Sequence, residues 1–245
     1  MVRSSRRDRR FRTWTLRALL ALAGAAACSA SPWAVAAPLD APSPLARTEF
    51  SIARLKYGGG GDWYGDQGSV RNLLAGLKSR AGVPTGTADA PVVTPTDEAL
   101  FNYPMLFMAG HGNVKFTPAE VERLHRYLTA GGFLWCDDDY GISDSFRREM
   151  KRVLPESEMV ELPFDHPVFH QLYEFPRGLP KIHEHDGGPA RAFGIYDDGR
   201  LVVLFTFDTD LGDGLEDEGV HPDPPEKREQ AMKMGVNIAL FALKQ

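Results

Sequence analysis

Three short apolar segments of this 245-residue chain each run into a glycine-rich or acidic loop, and a helical pattern follows each loop. The segments are residues 50–57, 105–109 and 133–136. Strands that alternate with helices through short loops predict an α/β domain with a mostly parallel sheet and helices on both faces. In such a sheet the loops after the strands gather at one edge, where ligands bind. The pattern therefore predicts the position of a site as well as a fold.

Apolar residues at helical spacing predict the helices of this domain, and a capping box at Thr117 and Glu120 marks the start of one of them. The helices are expected over Ser69–Ala81, from Pro118 to about residue 130, over Ser143–Val153 and over Pro225–Leu243. Further strands are expected at residues 91–93, 192–196 and 201–207. The last two flank Asp197-Asp198-Gly199, a sequence typical of a β-hairpin turn, which predicts a C-terminal hairpin added to the sheet. Residues 163–188 show no periodicity and are interpreted as a flap over the sheet edge.

Residues 1–36 have the features of a cleaved export signal. An arginine-rich start precedes an alanine-rich apolar stretch, and Ala34-Val35-Ala36 fits the small-residue cleavage rule. Residues 37–47 read as a proline-rich linker, and residues 48–245 as a single α/β domain. We therefore expect a periplasmic or otherwise extracytoplasmic protein. Arg9-Arg10 suggests the twin-arginine route as an alternative to the general secretory route, and a lipid anchor at Cys28 is a minor alternative.

The charge of the chain without this signal argues against a nucleic-acid partner. Seven of the 28 basic residues and one of the 33 acidic residues lie before Ala37, so 21 basic and 32 acidic residues remain. Binding to phosphates requires a basic surface. The expected partner is instead an unknown small ligand or a protein of the cell envelope. Cys136 is the only cysteine after residue 36, so an internal disulfide is excluded there.

The candidate binding pocket consists of polar and aromatic residues that follow the predicted strands: Asp62, Trp63, His111, Asp137, Asp138 and Asp210. The run 137–139 offers metal ligands, a general base or acceptors for sugar hydroxyls. The alternative is that one aspartate caps the next helix and the others are solvated. His111 either faces a ligand or makes a structural hydrogen bond. Trp63 either presents a flat face to a sugar ring or packs in the core.

Several other motifs are weaker candidates. Three carboxylates directly after Cys136 oppose a thiolate, so this cysteine is interpreted as structural. His183 and His185, with Glu184 and Asp186, either ligate a metal or belong to an exposed polar loop. The sequence from Asp208 through Asp210 to Asp213 resembles a calcium loop but departs from the EF-hand spacing. The acidic run 216–218 is interpreted as a solvated loop.

Four motifs together resemble the bacterial domain of unknown function 4159 family. They are Gly61-Asp62-Trp63-Tyr64, Met108-Ala109-Gly110-His111-Gly112, Gly131-Gly132-Phe133-Leu134-Trp135 followed by Asp137-Asp138, and Asp210-Leu211-Gly212-Asp213. The resemblance extends from about Thr48 to the end of the chain. It implies a flavodoxin-like fold, similar to the folds of class I glutamine amidotransferases and of trehalose-utilisation proteins. The sequence Asp165-His166-Pro167-Val168 also resembles a segment of the trehalose-utilisation proteins. It implies a site at the sheet edge and supplies no activity.

Two functions remain open at this point. No complete catalytic constellation is visible, which favours a non-catalytic ligand-binding or scaffold module of the cell envelope. The alternative is a hydrolase, carbohydrate-directed and metal-assisted, that uses His111 and the strand-end aspartates. The sequence identifies neither the metal nor any other cofactor.

Overall fold

A computed structural model of the protein describes residues 49–86, 90–185 and 187–245. The predicted signal peptide at residues 1–36, the linker at residues 37–47 and the candidate ligand Asp186 lie outside the described residues. Within the described ranges, no helix combines the length and the apolar character that crossing a membrane requires.

Strands and helices alternate through most of the domain, as the sequence predicts. The strands are β1 Ile52–Leu55, β2 Val92–Val93, β3 Met105–Met108, β4 Phe133–Asp137, β5 Met159–Glu161, β6 Arg191–Asp197 and β7 Arg200–Phe207. The helices are α1 Ser69–Ala81, α2 Pro118–Thr129, α3 Ser143–Val153, α4 Leu211–Leu215 and α5 Pro225–Leu243. Short 3-10 helices lie at Glu98–Asn102 and Pro167–Phe169. The sequence patterns predicted neither β5 nor α4, because β5 is a largely exposed strand of three residues and α4 contains two glycines in five residues.

The seven strands form one sheet in the order β2-β1-β3-β4-β7-β6-β5. The first five strands in this order, β2, β1, β3, β4 and β7, run parallel to one another. At one side of the sheet, β6 pairs antiparallel with β7, and β5 pairs antiparallel with β6. The parallel part has the flavodoxin-like order, in which the chain reverses its direction of winding between β1 and β3. The prediction of a flavodoxin-like α/β fold with a C-terminal hairpin is confirmed.

Alternate residues of the central strands enter two separate cores, one on each face of the sheet. On one face Met105, Phe107 and Trp135 pack with α1 and α5. On the other face Leu106 and Cys136 pack with α2 and α3. Burial on both sides explains why β3 and β4 are continuous apolar runs. The strands are thereby fixed, and so are the positions at which the polar loops leave them.

The hairpin turn and the capping box form as predicted. Asp197 pairs with Arg200, and the two turn residues Asp198 and Gly199 have φ values of 47° and 78°. Positive φ at both positions is characteristic of the type I′ turn, which matches the twist of the strands. At the start of α2, the side chain of Thr117 accepts from the backbone N–H of Glu120, and the Glu120 carboxylate accepts from the backbone N–H of Thr117 at 2.7 Å.

The acidic run at residues 216–218 is not simply a solvated loop, because that interpretation is wrong for Glu216. Glu216 is buried, and its Oε1 accepts from the backbone N–H groups of Gly68 at 2.7 Å and Ser69 at 3.3 Å. A carboxylate at this position satisfies unpaired donors at the start of α1 and complements the helix dipole. Asp217 pairs with Arg71 at 2.5 Å. These contacts hold the segment after α4 against the start of α1.

The segment 163–188 is mainly a packed layer rather than a flap. Val168, Phe169 and Phe175 are buried in the core that contains α5. Asn237 of α5 accepts from the backbone N–H groups of Leu172 and Tyr173, each at 3.0 Å. The proline and aromatic content therefore serves packing, and the described part of the segment reaches the sheet edge only near its end.

Cys136 is predicted to react slowly with thiol reagents. Its side chain is fully buried, and burial, together with the adjacent carboxylates, raises the pKa of its thiol well above the ordinary value. In a Cys28→Ser background, a disulfide reagent at pH 7.5 should label the native protein only as fast as the protein opens, and denaturant should make labelling complete. Rapid stoichiometric labelling of native protein would contradict a structural role.

Candidate functional site

The loops that follow β1, β3, β4 and β7 meet at one edge of the sheet. Parallel pairing places the carboxyl ends of these strands side by side, with Met108 beside Cys136 and Asp137 beside Thr206. All six candidate residues therefore lie at or beside the same edge. They do not form one pocket, however, because they separate into an exposed pair at the rim and a buried cluster.

The pair at the rim consists of Asp62 and His111. Asp62 Oδ2 lies 3.1 Å from His111 Nδ1, and Asp62 also accepts from the backbone N–H of His111. About half of the His111 side chain and a third of the Asp62 side chain are exposed. Gly110, between the strand and His111, has a φ of 134°, and a Cβ there would overlap the Tyr57 hydroxyl. The glycine thus allows the loop to pass close enough for the pair to form.

Trp63 packs beside the core instead of lining the acidic cluster. It lies against the core that contains α2 and α3, and the ammonium group of Lys56 lies 4.9 Å from its ring centroid. The neighbouring Tyr64 is 58% exposed. The buried guanidinium of Arg54 donates to the backbone carbonyls of Trp63 and Gly65, which fixes this loop. The packing interpretation of Trp63 therefore describes the structure better than the ligand-stacking one.

The run 137–139 is entirely buried, so the interpretation that its members are solvated is wrong. Asp137 accepts from Thr206 Oγ1 and, at 2.6 Å, from the backbone N–H of Gly212. Asp138 Oδ1 accepts at 3.0 Å from the backbone N–H of Ile142, at the start of α3. Asp138 thus bonds the N–H of Ile142, the residue before the first turn of α3, while α3 has no side-chain cap of its own. Asp139 Oδ1 is buried and has no hydrogen-bond partner among the described residues.

Five buried aspartates form an acidic cluster at this edge: Asp66, Asp137, Asp139, Asp210 and Asp213. One oxygen of Asp66, one of Asp139 and one of Asp210 are buried without a hydrogen-bond partner in the described part of the chain. A Cβ on residue 212 would overlap Asp66 Oδ2 and would lie 3.4 Å from Asp137 Oδ2. Glycine at position 212 therefore permits the carboxylates to converge on the backbone.

Two cluster members also have unusual backbone conformations. Asp66 and Asp210 have φ values of 47° and 58°, in the left-handed region that side chains other than glycine rarely adopt. Aspartate tolerates this region better than most residues, and such strain is concentrated at functional sites. The fold therefore accepts backbone strain at the positions that direct these two carboxylates inward.

The pKa values of the cluster are raised, chiefly because burial disfavours the charged form. Burial, opposed by the hydrogen bonds from Thr206 and Gly212 and reinforced by Asp213, raises the pKa of Asp137 to about 7. Burial and the charges of Asp137 and Asp213 raise the pKa of Asp210 to about 9. The pKa values of Asp66 and Asp139 also lie well above the ordinary value, from burial and neighbouring carboxylates. Burial likewise raises the pKa of Asp138 to about 6.

Three histidines border the cluster on its outer side. His183 Nδ1 lies 2.8 Å from Asp213 and 3.5 Å from Asp210, and its Nε2 lies 2.7 Å from Asp223. His185 Nε2 lies 2.5 Å from Asp210, and its ring stacks on Tyr140 with centroids 4.7 Å apart. His183 is half-buried against these carboxylates, whereas Glu184 and His185 are exposed, as the loop interpretation expects.

The third histidine, His221, approaches Asp213 from the other side. His221 Nε2 lies 3.3 Å from Asp213 Oδ1. Two sets of side chains have the compactness of a metal site, with one ligand atom from each residue within 4.8 Å of the others: Asp66 with Asp213 and His221, and His183 with Asp210 and Asp213. Asp213 belongs to both sets.

The proposed calcium loop does not form. Asp210 and Asp213 enter the cluster, but Asp208 instead pairs with Lys181. Residues 211–215 form the short helix α4, so their side chains do not encircle a cation as those of an EF-hand loop do.

A cavity of about 310 Å³ opens beside the cluster. Its lining includes Asp138, Asp139, Tyr140, His185 and Phe207. A larger cavity of about 530 Å³ lies at the opposite ends of the strands, where Glu49 is the only carboxylate among the described residues that line it. The smaller cavity brings a solute next to Asp138, Asp139 and His185. A separate cavity of about 450 Å³ is lined by Glu218, His221 and Asp223 among other residues.

Sequence reasoning missed Asp66, His221 and Asp223, which are isolated in the chain and outside any motif. Asp66 follows the glycine-rich loop after β1, and the topological argument that selected Asp62 applies equally to it. Sequence offers no comparable signal for His221 or Asp223, since they reach the cluster through the segment between α4 and α5. Their contribution depends on tertiary packing.

A family model for the domain of unknown function DUF4159 matches residues 51–243. The chain belongs to the DUF4159 family. The match covers β1 through α5, including every residue of the acidic cluster and all three bordering histidines. No curated protein matches the chain. The resemblance inferred from the four motifs is thus confirmed, and the chemistry of the site must be argued from its geometry.

Replacing Asp139 by asparagine is predicted to stabilise the protein in the presence of a chelator. The pKa of Asp139 is higher in the folded protein than in the unfolded chain, so protonation of Asp139 favours folding in acid. This contribution to stability is lost as the pH rises from about 4 towards the pKa of the folded protein. The asparagine side chain of the variant has no charge to bury, so its advantage should grow with pH. We expect Asp139→Asn to raise the free energy of unfolding, and to raise it more at pH 8 than at pH 5.

Urea denaturation at pH 5 and pH 8 measures this effect, and exposed Asp165→Asn is the control, which should change stability little at either pH. A variant less stable than wild type at pH 8 would show that Asp139 makes favourable native interactions instead of bearing repulsion.

Proposed function

We propose that this domain is a ligand-binding module whose ligand includes a divalent metal cation held by the acidic cluster. The observation that carries the proposal is the set of buried carboxylate oxygens on Asp66, Asp139 and Asp210 that have no hydrogen-bond partner among the described residues. Buried polar atoms in folded proteins are nearly always paired, and an unpaired carboxylate is especially costly. A cation at this position would supply the missing partner.

The surroundings of the cluster support a cation over a protein side chain as that partner. Lys181, which approaches nearby, pairs with Asp208 and the backbone carbonyl of Gly188. Arg54 uses its guanidinium on two backbone carbonyls. Imidazole nitrogens beside carboxylate oxygens form a donor set suited to first-row transition metals, whereas Mg²⁺ and Ca²⁺ favour oxygen alone.

The full-length protein is therefore predicted to be stabilised by Mn²⁺ or Zn²⁺ after it has been stripped with a chelator. A ligand at a hundredfold excess over its Kd adds about 2.7 kcal/mol to the free energy of unfolding. For a domain of this size that corresponds to a rise in Tm of roughly 5–10 °C. Asp210→Asn should lose most of this rise, and the exposed Asp165→Asn should retain it. Thermal unfolding followed by circular dichroism measures both.

An absence of any metal-dependent shift in wild type, with no binding detected by calorimetry, would contradict cation binding. An equal shift in Asp210→Asn would place the cation elsewhere in the protein.

The second candidate function is metal-assisted hydrolysis, which the Asp62–His111 pair specifically favours. A carboxylate on Nδ1 orients the imidazole and leaves Nε2 as the nitrogen able to accept a proton from water. The backbone of His111 pairs with that of Tyr140, and Tyr140 lines the cavity together with Asp138. A general base beside a metal-bound solute is an arrangement common to hydrolases, and a polyhydroxylated substrate such as a sugar ester would suit the acidic lining.

Screening Mn²⁺-loaded protein against p-nitrophenyl esters, phosphates and glycosides tests this candidate. If the protein is a hydrolase, His111→Gln should lower kcat by about 10²–10⁴-fold while metal content stays unchanged. Turnover that survives in His111→Gln would exclude His111 as the base, and a metal-loaded wild type without turnover would leave the binding function alone.

We also propose that the protein is exported and acts in the cell envelope, on the strength of the arginine-rich start, the apolar stretch and Ala34-Val35-Ala36. N-terminal sequencing of the protein isolated from its native host should give Ala37. A lipid-modified Cys28 would instead show an anchored form, and full-length protein in the cytoplasm would contradict export.

A further inference from the structure

We propose that the acidic cluster holds two divalent cations bridged by the carboxylate of Asp213. This inference rests on the proposed function and specifies the number of cations and the ligands of each. It follows from the two compact sets of side chains that share Asp213, one containing His183 and the other containing His221.

The two oxygens of Asp213 face different histidines. Oδ2 lies 2.8 Å from His183 Nδ1, and Oδ1 lies 3.3 Å from His221 Nε2. The two imidazole rings lie 5.8 Å apart between centroids, on either side of the carboxylate. A carboxylate that offers one oxygen to each of two nitrogen donors has the arrangement of a bridging ligand, and cations bridged in this way are about 3.5–4 Å apart.

The first site consists of His183, Asp210 and Asp213. Asp210 is fully buried, its Oδ2 lies 3.5 Å from His183 Nδ1, and its Oδ1 is without a partner in the described ranges. Asp223 lies 2.7 Å from His183 Nε2. A carboxylate on the far nitrogen keeps the proton there and leaves Nδ1 free to bind a metal, a common way of orienting metal-bound histidines. Asp223 is thus assigned as a positioning residue.

The second site consists of Asp66, His221 and Asp213. Asp66 Oδ2 is buried with no nitrogen or hydroxyl donor among the described residues, and one ligand atom each of Asp66, Asp213 and His221 lie within 4.8 Å of one another. The left-handed backbone of Asp66 and the absence of a side chain at Gly212 together allow this carboxylate to reach Asp213. His221 supplies a nitrogen donor from the segment that follows α4.

Charge also favours two cations over one. The cluster contains five buried carboxylates, those of Asp66, Asp137, Asp139, Asp210 and Asp213. A single divalent cation would leave most of that charge uncompensated in a buried region. Two divalent cations bring the charge of the cluster close to neutral with the ligands already in place.

The number of cations is measured on the full chain by equilibrium dialysis against Mn²⁺ and against Zn²⁺, with metal content determined by mass spectrometry. Wild type should bind two equivalents, and its Mn²⁺ form should show the electron paramagnetic resonance spectrum of a spin-coupled pair. His183→Ala and His221→Ala should each bind one equivalent and show an uncoupled Mn²⁺ spectrum. His170→Ala, which removes an imidazole paired with Glu174 outside the cluster, is the matched control and should keep both.

The Asp213→Asn variant tests whether Asp213 bridges the two cations without disturbing the fold. It should lose the spin-coupled signal while its far-ultraviolet circular dichroism in chelator equals that of wild type, since an amide replaces a carboxylate of the same shape. A spin-coupled pair in Asp213→Asn would overturn the bridge.

Binding of one equivalent by wild type would overturn the two-cation inference and leave the proposed cation-binding function intact. Binding of none would overturn both. Two equivalents that persist in His183→Ala and in His221→Ala would place the cations outside these ligands and would also overturn the inference.

Discussion

Repulsion among carboxylates buried at the carboxyl edge of the sheet is the constraint that the rest of this structure must offset. Five aspartates share a region from which water is largely excluded, and three of them present oxygens without a partner among the described residues. Like charges at close range in a region of low dielectric destabilise a fold unless they are neutralised by protons or by cations. The raised pKa values favour neutralisation by protons. The bordering histidines offer nitrogen ligands for neutralisation by cations.

The fold brings these charges together through features far from them. Two apolar cores hold β3 and β4 so that β4 ends at Asp137 and the next carboxylates follow at once. Glu216 fixes the segment after α4 to the start of α1, which keeps α4 and Asp213 beside Asp66. The absence of a side chain at Gly212 lets Asp66 approach the α4 backbone. The stability that the two apolar cores contribute thus offsets the repulsion among the clustered carboxylates.

The sequence predicted the sheet more completely than it predicted the site. Apolar runs such as that of β3 and a capping box such as that at Thr117 act locally, so the order of elements could be read from the chain. The sheet-edge rule brought Asp62, His111, Asp137, Asp138 and Asp210 to one edge. It could not show that Asp62 and His111 form a separate exposed pair. Nor could it show that His221 and Asp223 join the cluster, because the path of the chain between α4 and α5 depends on packing against other elements.

The central claim is that metal cations occupy the acidic cluster, and anomalous X-ray diffraction tests it most directly. Crystals of the protein prepared with Mn²⁺ or Zn²⁺ should show anomalous density within coordination distance of Asp210, Asp213 and His183. We predict that density at full occupancy with the unpaired oxygen of Asp210 among its ligands, and the unpaired oxygen of Asp66 among the ligands of the second cation. Crystals with no anomalous density at the cluster, and with aspartates paired to one another through shared protons, would contradict it.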